Sequence, residues 1–284
     1  MTIERVGIIG GGQMGGGIAE VCIKAGITTK VFDIDDDAIA LSQTRITKSL
    51  SKAVERGKLD PADADAAIDR LSFVTVLDEL ADSDLVIEAV VENEDLKKDI
   101  FTKLDSIVGD GAILASNTSS IPLTRIGSVT NRPERVVGMH FFNPAPIMPL
   151  VEIISTVVSD QAVVDEVATF ASETLGKTVV RASDRAGFIV NMLLVPYAVD
   201  AMRMYESGFA SKEDIDAGMV NGAGYPMGPL ALSDLIGLDT MLFVAESLFE
   251  EFREPRYAPP PLLRRMVEAG LLGRKSGRGF YDYT

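Results

Sequence analysis

The stretch VGIIGGGQMGGGIAEVCIKAG, residues 6–26, decides the fold of this chain. A short apolar run leads into clustered glycines, and a pattern with helical spacing follows. Gly10, Gly12 and Gly15 fit G-x-G-x-x-G between a strand and a helix, whereas Gly11 fills a variable position. In that context Gly10 permits a tight turn, Gly12 lets backbone amides approach a pyrophosphate, and Gly15 allows close packing of helix on strand. The segment predicts a dinucleotide site rather than a flexible bend.

The next apolar strand ends in an acid that favours one cofactor. Asp33 follows the glycine loop by about twenty residues, where a carboxylate accepts hydrogen bonds from ribose hydroxyls. The same carboxylate repels the 2′-phosphate of NADP, so NAD is the predicted cofactor. FAD uses a similar fingerprint but usually belongs to a much larger chain. The structural alternative is that Asp33 only caps the following helix.

Apolar runs alternate with helical patterns in the first part of the chain, which predicts a parallel sheet with helices on both faces. The strand-like runs lie at 6–10, 29–34, 85–91, 112–116, 135–142, 150–155 and 177–180. Helical patterns lie between them at 14–26, 36–56 and 95–107, and then alone at 188–208, with a disturbance near Pro196, and at 211–222, 229–252 and 260–269. The predicted fold class is α/β, a Rossmann-type doubly wound sheet in residues 1–183 followed by a smaller all-helical domain in residues 184–284.

Composition excludes several classes of partner. The 284 residues carry a net charge of −15, and such a surface repels nucleic acid and anionic membranes. An apolar run of about 18 residues, which a membrane helix needs, is absent, and we expect no secretory signal. The single cysteine, Cys22, excludes an internal disulfide, and no metal-ligand spacing accompanies it. We therefore expect a cytoplasmic protein without a metal.

The chain's one histidine, His140, is the candidate catalytic residue. A lone histidine on an apolar strand is more often a core residue, but His140 lies at the carboxyl end of its strand, where open α/β sheets bind ligands. Glu152 lies in the next apolar strand, beyond a proline-rich turn. If the two strands pair, the carboxylate fixes the imidazole tautomer and stabilises the imidazolium. The pair then predicts a general base that removes a proton from a secondary alcohol while hydride leaves for a nicotinamide.

Motifs along the whole chain resemble the L-3-hydroxyacyl-CoA dehydrogenases, in particular bacterial enzymes acting on 3-hydroxybutyryl-CoA. They are SNTSS (116–120), HFFNPAP (140–146), GFIVNMLLVPY (187–197), GAGYPMGP (222–229), GLDT (237–240) and GRKSGRGFYDY (273–283). The resemblance implies NAD-dependent interconversion of (S)-3-hydroxyacyl-CoA and 3-ketoacyl-CoA in fatty acid and butanoate metabolism. It further implies an active site between the domains and a homodimer formed through the helical domain.

The same resemblance assigns roles to single residues. His140 is the catalytic base with Glu152 as its partner, Ser119 hydrogen-bonds the substrate oxygen, and Asn191 orients the substrate and His140. The implied cofactor contacts are Gly10, Gly12, Gln13, Met14, Gly15, Asp33, Glu92, Lys97, Asn117, Ser119, Asn143 and Lys275. Structural alternatives remain for some of these residues. Ser119 and Asn117 would cap a helix that begins near Pro122, and Lys275 would lie in a solvated basic turn.

A basic stripe interrupts the acidic sequence. Arg45, Lys48, Lys52 and Arg56 share one face of a predicted helix, with Ser49 beside them. Such a stripe is usually a solvated surface. The resemblance places contacts to the CoA phosphates at Ser49 and Arg56, so we expect an acyl-CoA clamp that also includes Lys52.

Two other functions fit parts of the pattern. A β-hydroxyacid dehydrogenase of the 3-hydroxyisobutyrate type has a similar domain order but uses a catalytic lysine, and the His140–Glu152 pair disfavours it. A non-catalytic NAD-binding protein is the alternative outside enzymes. It is disfavoured because every candidate catalytic group is present in the sequence.

Overall fold

A computed structural model describes residues 2–284, and within them an eight-stranded sheet forms the centre of the first half. The strands are β1 (Arg5–Ile9), β2 (Thr28–Phe32), β3 (Leu71–Val74), β4 (Leu85–Glu88), β5 (Ile113–Ser116), β6 (Val136–Phe141), β7 (Leu150–Ser155) and β8 (Thr178–Ser183). Their order in the sheet is β3-β2-β1-β4-β5-β6-β7-β8. Neighbours run parallel except for the antiparallel pair β6 and β7.

The chain divides into two compact units, of which the first ends at Asp184 and the second begins at Arg185. Helices of the first unit are α1 (Gln13–Lys24), α2 (Asp36–Glu55), α3 (Pro61–Ile68), α4 (Glu94–Ile107), α5 (Leu123–Gly127) and α6 (Gln161–Thr169). Those of the second unit are α7 (Val190–Glu206), α8 (Lys212–Ala223), α9 (Pro229–Ile236), α10 (Leu238–Phe252) and α11 (Pro261–Glu268). Each unit has its own buried apolar core. The predicted fold class, a Rossmann-type sheet followed by a helical region, is confirmed.

Some local predictions were wrong. The sequence pattern gave no strand at β3 and no helix at α3. The single helical pattern at 229–252 is two helices, because Gly237 with a φ of 106° interrupts it. Pro196, in contrast, lies inside α7 without ending that helix.

The strand order changes direction at β1, which pairs with β2 on one side and β4 on the other. Ligands of doubly wound sheets bind at the carboxyl ends of the strands beside such a switch point. The loops after β1, β4, β5 and β6 leave the sheet at this edge. They contain the predicted residues Gly10, Gly12, Glu92, Asn117, Ser119 and Asn143.

Glycines set how closely α1 approaches the sheet. Gly10 has a φ of +90°, and a Cβ added at Gly15 would lie 1.8 Å from the Gly10 carbonyl oxygen. Gly11 is not free to vary, since its Cβ would lie 2.5 Å from the Ser42 hydroxyl oxygen. A Cβ at Gly12 would meet nothing within 4 Å, so the protein leaves open space beside the loop at this position.

Gly15→Ala is therefore expected to destabilise the protein by at least about 3 kcal/mol, because the added methyl collides with backbone that cannot move away. Gly12→Ala is the matched control and is expected to leave the free energy of unfolding within about 1 kcal/mol of wild type. Urea denaturation followed by circular dichroism measures both variants. Equal stability of the two variants would contradict the packing described here.

Candidate active site

The glycine loop and Asp33 form one hydrogen-bonded unit. The Gly11 amide donates to Asp33 Oδ2 at 2.8 Å, and the Ile34 amide donates to Oδ1 at 2.9 Å. Asp35, not Asp33, caps α2, because its side chain accepts from the Ala38 amide. The capping alternative for Asp33 is thus wrong, and its carboxylate stands against the loop where the sequence predicted a ribose contact.

The N-terminus of α1 has no side-chain cap. Gly12 occupies the N-cap position, and no side chain accepts from the first amides of the helix. Such amides and the helix dipole together favour an anion. The geometry suits a pyrophosphate, as the loop sequence predicts.

A second loop approaches this helix from β6. Gln13 Nε2 donates to Asn143 Oδ1 at 3.0 Å, and a Cβ at Gly17 would lie 3.3 Å from the Ala145 side chain. Lys177 holds the loop by donating to the carbonyl oxygens of Ala145, at 2.7 Å, and Met148, at 2.9 Å. This lysine was not singled out in the sequence, because its partners are backbone atoms of a distant turn.

A small pocket opens between α1, α2 and this loop. Its lining brings together the predicted residues Gly12, Gln13, Ser49 and Asn143. Glu20 also lines it. Burial raises the pKa of the Glu20 carboxyl above its ordinary value, although the Ser49 hydroxyl and nearby lysines lower it in part. Sequence reasoning missed Glu20, although an acid among the apolar residues of α1 was a signal.

His140 and Glu152 are directly opposite one another on the antiparallel pair β6 and β7. His140 Nδ1 lies 2.6 Å from Glu152 Oε2, and both residues are buried. Because an ionised carboxylate can only accept, Nδ1 carries the proton in this contact, and in the neutral imidazole Nε2 is then the unprotonated nitrogen. The Phe142 ring packs beside the imidazole with its centroid 4.6 Å away. This arrangement is the histidine–carboxylate pair that the sequence predicted.

The loop after β5 lies beside β6. Asn117 Oδ1 accepts from the Phe141 amide at 2.9 Å, so Asn117 is tied to the strand that carries His140. Ser119 is partly buried, and its amide donates to Glu92 Oε1 at 3.1 Å. Neither residue caps α5: Asp184 does so by accepting from the amides of Leu123 and Thr124. The capping alternative for Asn117 and Ser119 is therefore wrong.

Lys97 lies inside the protein between two carboxylates. Its Nζ is 2.6 Å from Glu88 Oε1 and 3.1 Å from Glu92 Oε2, and only 1% of its side chain is exposed. Burial by itself raises the pKa of Glu92, but Lys97, together with the Thr118 hydroxyl, outweighs it and holds that pKa below its ordinary value. Sequence reasoning missed Glu88, although an acid inside the apolar run LVIEAVV was a signal.

The basic stripe lies on the surface of α2. Arg45, Lys48, Lys52 and Arg56 are all exposed, and none forms an ion pair with another residue between 2 and 284. Three cations on α2 and a fourth at its C-cap, Arg56, thus remain available to a ligand. Ser49, beside them, is partly buried and faces the pocket described above.

Two predicted residues belong to the second compact unit. Asn191 lies in the first turn of α7 and is partly buried. Lys275 lies in a short turn and donates to Asp239 at 2.5 Å. Its ammonium group therefore already has an acidic partner within that unit.

Other features of residues 2–284 hold no predicted site. A larger cavity of about 570 Å³ lies at Ile3 and Phe170 and contains none of the predicted residues. Burial raises the pKa of Cys22 to about 12, so its thiol stays protonated. Residues 2–284 contain no group of three or more His, Cys, Asp or Glu side chains placed to hold a metal ion. No described helix is both long and apolar enough to cross a membrane.

Comparisons with known proteins cover nearly the whole chain. Residues 5–185 match the NAD binding domain of 3-hydroxyacyl-CoA dehydrogenase, and residues 187–283 match its C-terminal domain. The chain is 55% identical, over 99% of both chains, to 3-hydroxybutyryl-CoA dehydrogenase of Mycobacterium tuberculosis strain CDC 1551. It is similar in structure to M. tuberculosis FadB2, with a TM-score of 0.99, 55% identity and full coverage of both chains. It is also similar to (S)-3-hydroxybutyryl-CoA dehydrogenase PaaH1 of Ralstonia eutropha, with a TM-score of 0.95, 44% identity and full coverage of both.

Asp33→Asn is expected to lower the ratio of the NADPH dissociation constant to the NADH dissociation constant at least about tenfold. The substitution removes the charge that repels a 2′-phosphate but keeps an acceptor for the Gly11 amide. Titration of nicotinamide fluorescence gives the two dissociation constants. Asp35→Asn is the control, since it changes a neighbouring charge but leaves an efficient helix cap. An unchanged ratio in Asp33→Asn, or an equal change in Asp35→Asn, would contradict this role of Asp33.

Proposed function

The chain belongs to the 3-hydroxyacyl-CoA dehydrogenase family, an NAD-dependent oxidoreductase family. We therefore propose that it interconverts (S)-3-hydroxybutyryl-CoA and acetoacetyl-CoA. The observation that carries the proposal is the buried His140–Glu152 pair at the carboxyl edge of a sheet whose glycine loop suits NAD. The names of its relatives in M. tuberculosis and R. eutropha support the short acyl chain.

His140 acts as the general base in this proposal. The glycine loop and Asp33 would hold NAD, which when bound would supply the acceptor for the hydride of substrate C3. His140 Nε2 removes the proton of the 3-hydroxyl as that hydride departs, and the C–O bond becomes a carbonyl. Glu152 keeps the proton on Nδ1 and stabilises the imidazolium. In the reductive direction the imidazolium returns its Nε2 proton to the forming alkoxide.

Several polar groups would orient the reactants. We assign Ser119 to the substrate oxygen, because its amide is fixed by Glu92 while its side chain is partly exposed. Asn191 would orient substrate and His140 from the helical domain, residues 184–284. Gln13, Met14, Asn117 and Asn143 would line the cofactor site, and Lys275 would contact the cofactor only by giving up its bond to Asp239.

Lys52 and Arg56 would bind the CoA phosphates, with Ser49 at the mouth of the adjoining pocket. Lys52 and Arg56 are exposed and form no ion pair with a residue between 2 and 284, which supports this role in a chain with a net charge of −15. Electrostatic attraction to a phosphate is screened by salt, with a Debye length of about 10 Å at 0.1 M.

Assembly and location are further parts of the proposal. Exposed apolar side chains in the second unit, among them Leu193 and Phe209, support a homodimer formed through the helical domain. A cytoplasmic location stays a prediction of the sequence.

His140→Gln is expected to lower kcat for acetoacetyl-CoA reduction by at least about 100-fold, because no other described side chain replaces the proton donor. NADH affinity, measured by fluorescence titration, should stay within about twofold of wild type. Stopped-flow absorbance at 340 nm measures turnover. Surviving turnover would contradict the mechanism, and a protein that binds NADH but turns over no acyl-CoA even as wild type would favour the non-catalytic alternative.

Lys52→Ala is expected to flatten the rise of the acetoacetyl-CoA KM with ionic strength, because it removes one cation from the proposed clamp. Lys103→Ala is the control, as Lys103 is an exposed lysine on α4 already paired with Asp99. Steady-state kinetics from about 0.02 to 0.5 M salt gives the slopes. The clamp would be ruled out by a Lys52→Ala slope equal to that of wild type.

A further inference from the structure

We infer that Glu88 is a positioning residue. Through Lys97 and Glu92 it fixes the conformation of the loop that contains Asn117 and Ser119. This inference rests on the proposed function, because it assigns Ser119 to the substrate oxygen. The predicted site does not include Glu88. It is the last residue of β4, and none of its side chain is exposed.

The Glu88 carboxylate contacts three elements at once. Its Oε1 accepts from the Lys97 ammonium at 2.6 Å and from the Val90 amide at 2.7 Å. Its Oε2 accepts from the Ser116 hydroxyl at 2.6 Å, and Ser116 is its register partner on β5. The same Ser116 oxygen accepts from the Thr118 amide at 3.2 Å. One arm of the network thus passes from Glu88 directly into the loop after β5.

The second arm passes through Lys97. Its ammonium group bridges Glu88 and Glu92, and Glu92 Oε1 in turn accepts from the Thr118 hydroxyl, the Ser119 amide at 3.1 Å and the Ser120 hydroxyl at 3.0 Å. Both arms therefore converge on residues 118–120. The Ser119 hydroxyl itself donates to no residue between 2 and 284 and stays available for a substrate.

The cost of burial argues that this network serves more than stability. Two carboxylates and one ammonium lie at or near the interior, and a buried ion pair is often no more stabilising than apolar residues of the same size. Such a pair nonetheless fixes geometry, because each oxygen accepts only along defined directions. The network lies at the carboxyl edge of the sheet, next to the loop that contains Ser119. At this place a fixed geometry affects the rate of hydride transfer.

Glu88→Gln tests the inference. We expect kcat for acetoacetyl-CoA reduction to fall at least about tenfold, at a temperature where circular dichroism shows a fully folded variant. The isotope effect with NADH deuterated at the transferred position should rise, since misplacement of the substrate slows hydride transfer itself.

Ser116→Ala leaves the buried charges unchanged and breaks only the first arm, so a smaller, severalfold fall in kcat is expected. Asp99→Asn, which breaks an exposed ion pair on α4, is the control and should match wild type.

A charge-balanced pair of variants separates positioning from stability. Lys97→Met leaves Glu88 and Glu92 without their cation and should lower the melting temperature. Adding Glu88→Gln removes one of the two uncompensated carboxylates, so the melting temperature should recover in part while kcat stays low. Recovery of kcat together with stability would overturn the inference, as would full kcat in both Glu88→Gln and Ser116→Ala. Failure of wild type and Asp99→Asn to oxidise NADH with acetoacetyl-CoA would instead contradict the proposed function and the inference with it.

Discussion

Helix α1 can lie against β1 only because residue 15 has no side chain, since a methyl there would sit 1.8 Å from the Gly10 carbonyl oxygen. This contact brings the uncapped amides of α1 to the carboxyl edge of the sheet, beside Asp33. It also allows the turn after β6 to approach the helix at Gly17, where Gln13 bonds Asn143. Helix α1 therefore contacts both the glycine loop and the turn that follows the strand of His140.

The reversal of β7 is the second constraint on the site. Residues directly opposite on paired strands point to the same face of a sheet, and a slip of one residue moves a side chain to the other face. The antiparallel register places Glu152 opposite His140, so the carboxylate meets Nδ1 of the imidazole. The short proline-rich turn makes this reversal possible. A parallel strand would have needed a crossover of a dozen or more residues.

The sequence predicted those parts of the molecule that depend on local rules. The glycine loop, the alternation of strands and helices and the His140–Glu152 pair follow from spacing within short segments. Long-range contacts explain the errors. Gly11 was expected to vary freely, but Ser42 of the next helix crowds it. Lys97 was predicted from the resemblance as a cofactor contact, and only the structure shows that it is buried against Glu88 at the end of β4. Asp184, sixty residues away, caps α5 in place of the nearby polar side chains.

The proposed mechanism requires His140 to hold its proton on Nδ1 and to use Nε2 as the base. Because the chain has one histidine, ¹⁵N-NMR of protein labelled at histidine reports this imidazole alone. We expect a protonated Nδ1 and an unprotonated Nε2 in the NAD complex. The Nε2 resonance should shift when acetoacetyl-CoA is added to the NADH complex, and Glu152→Gln should abolish the preference for Nδ1. A proton found on Nε2 in the wild-type NAD complex would contradict this mechanism.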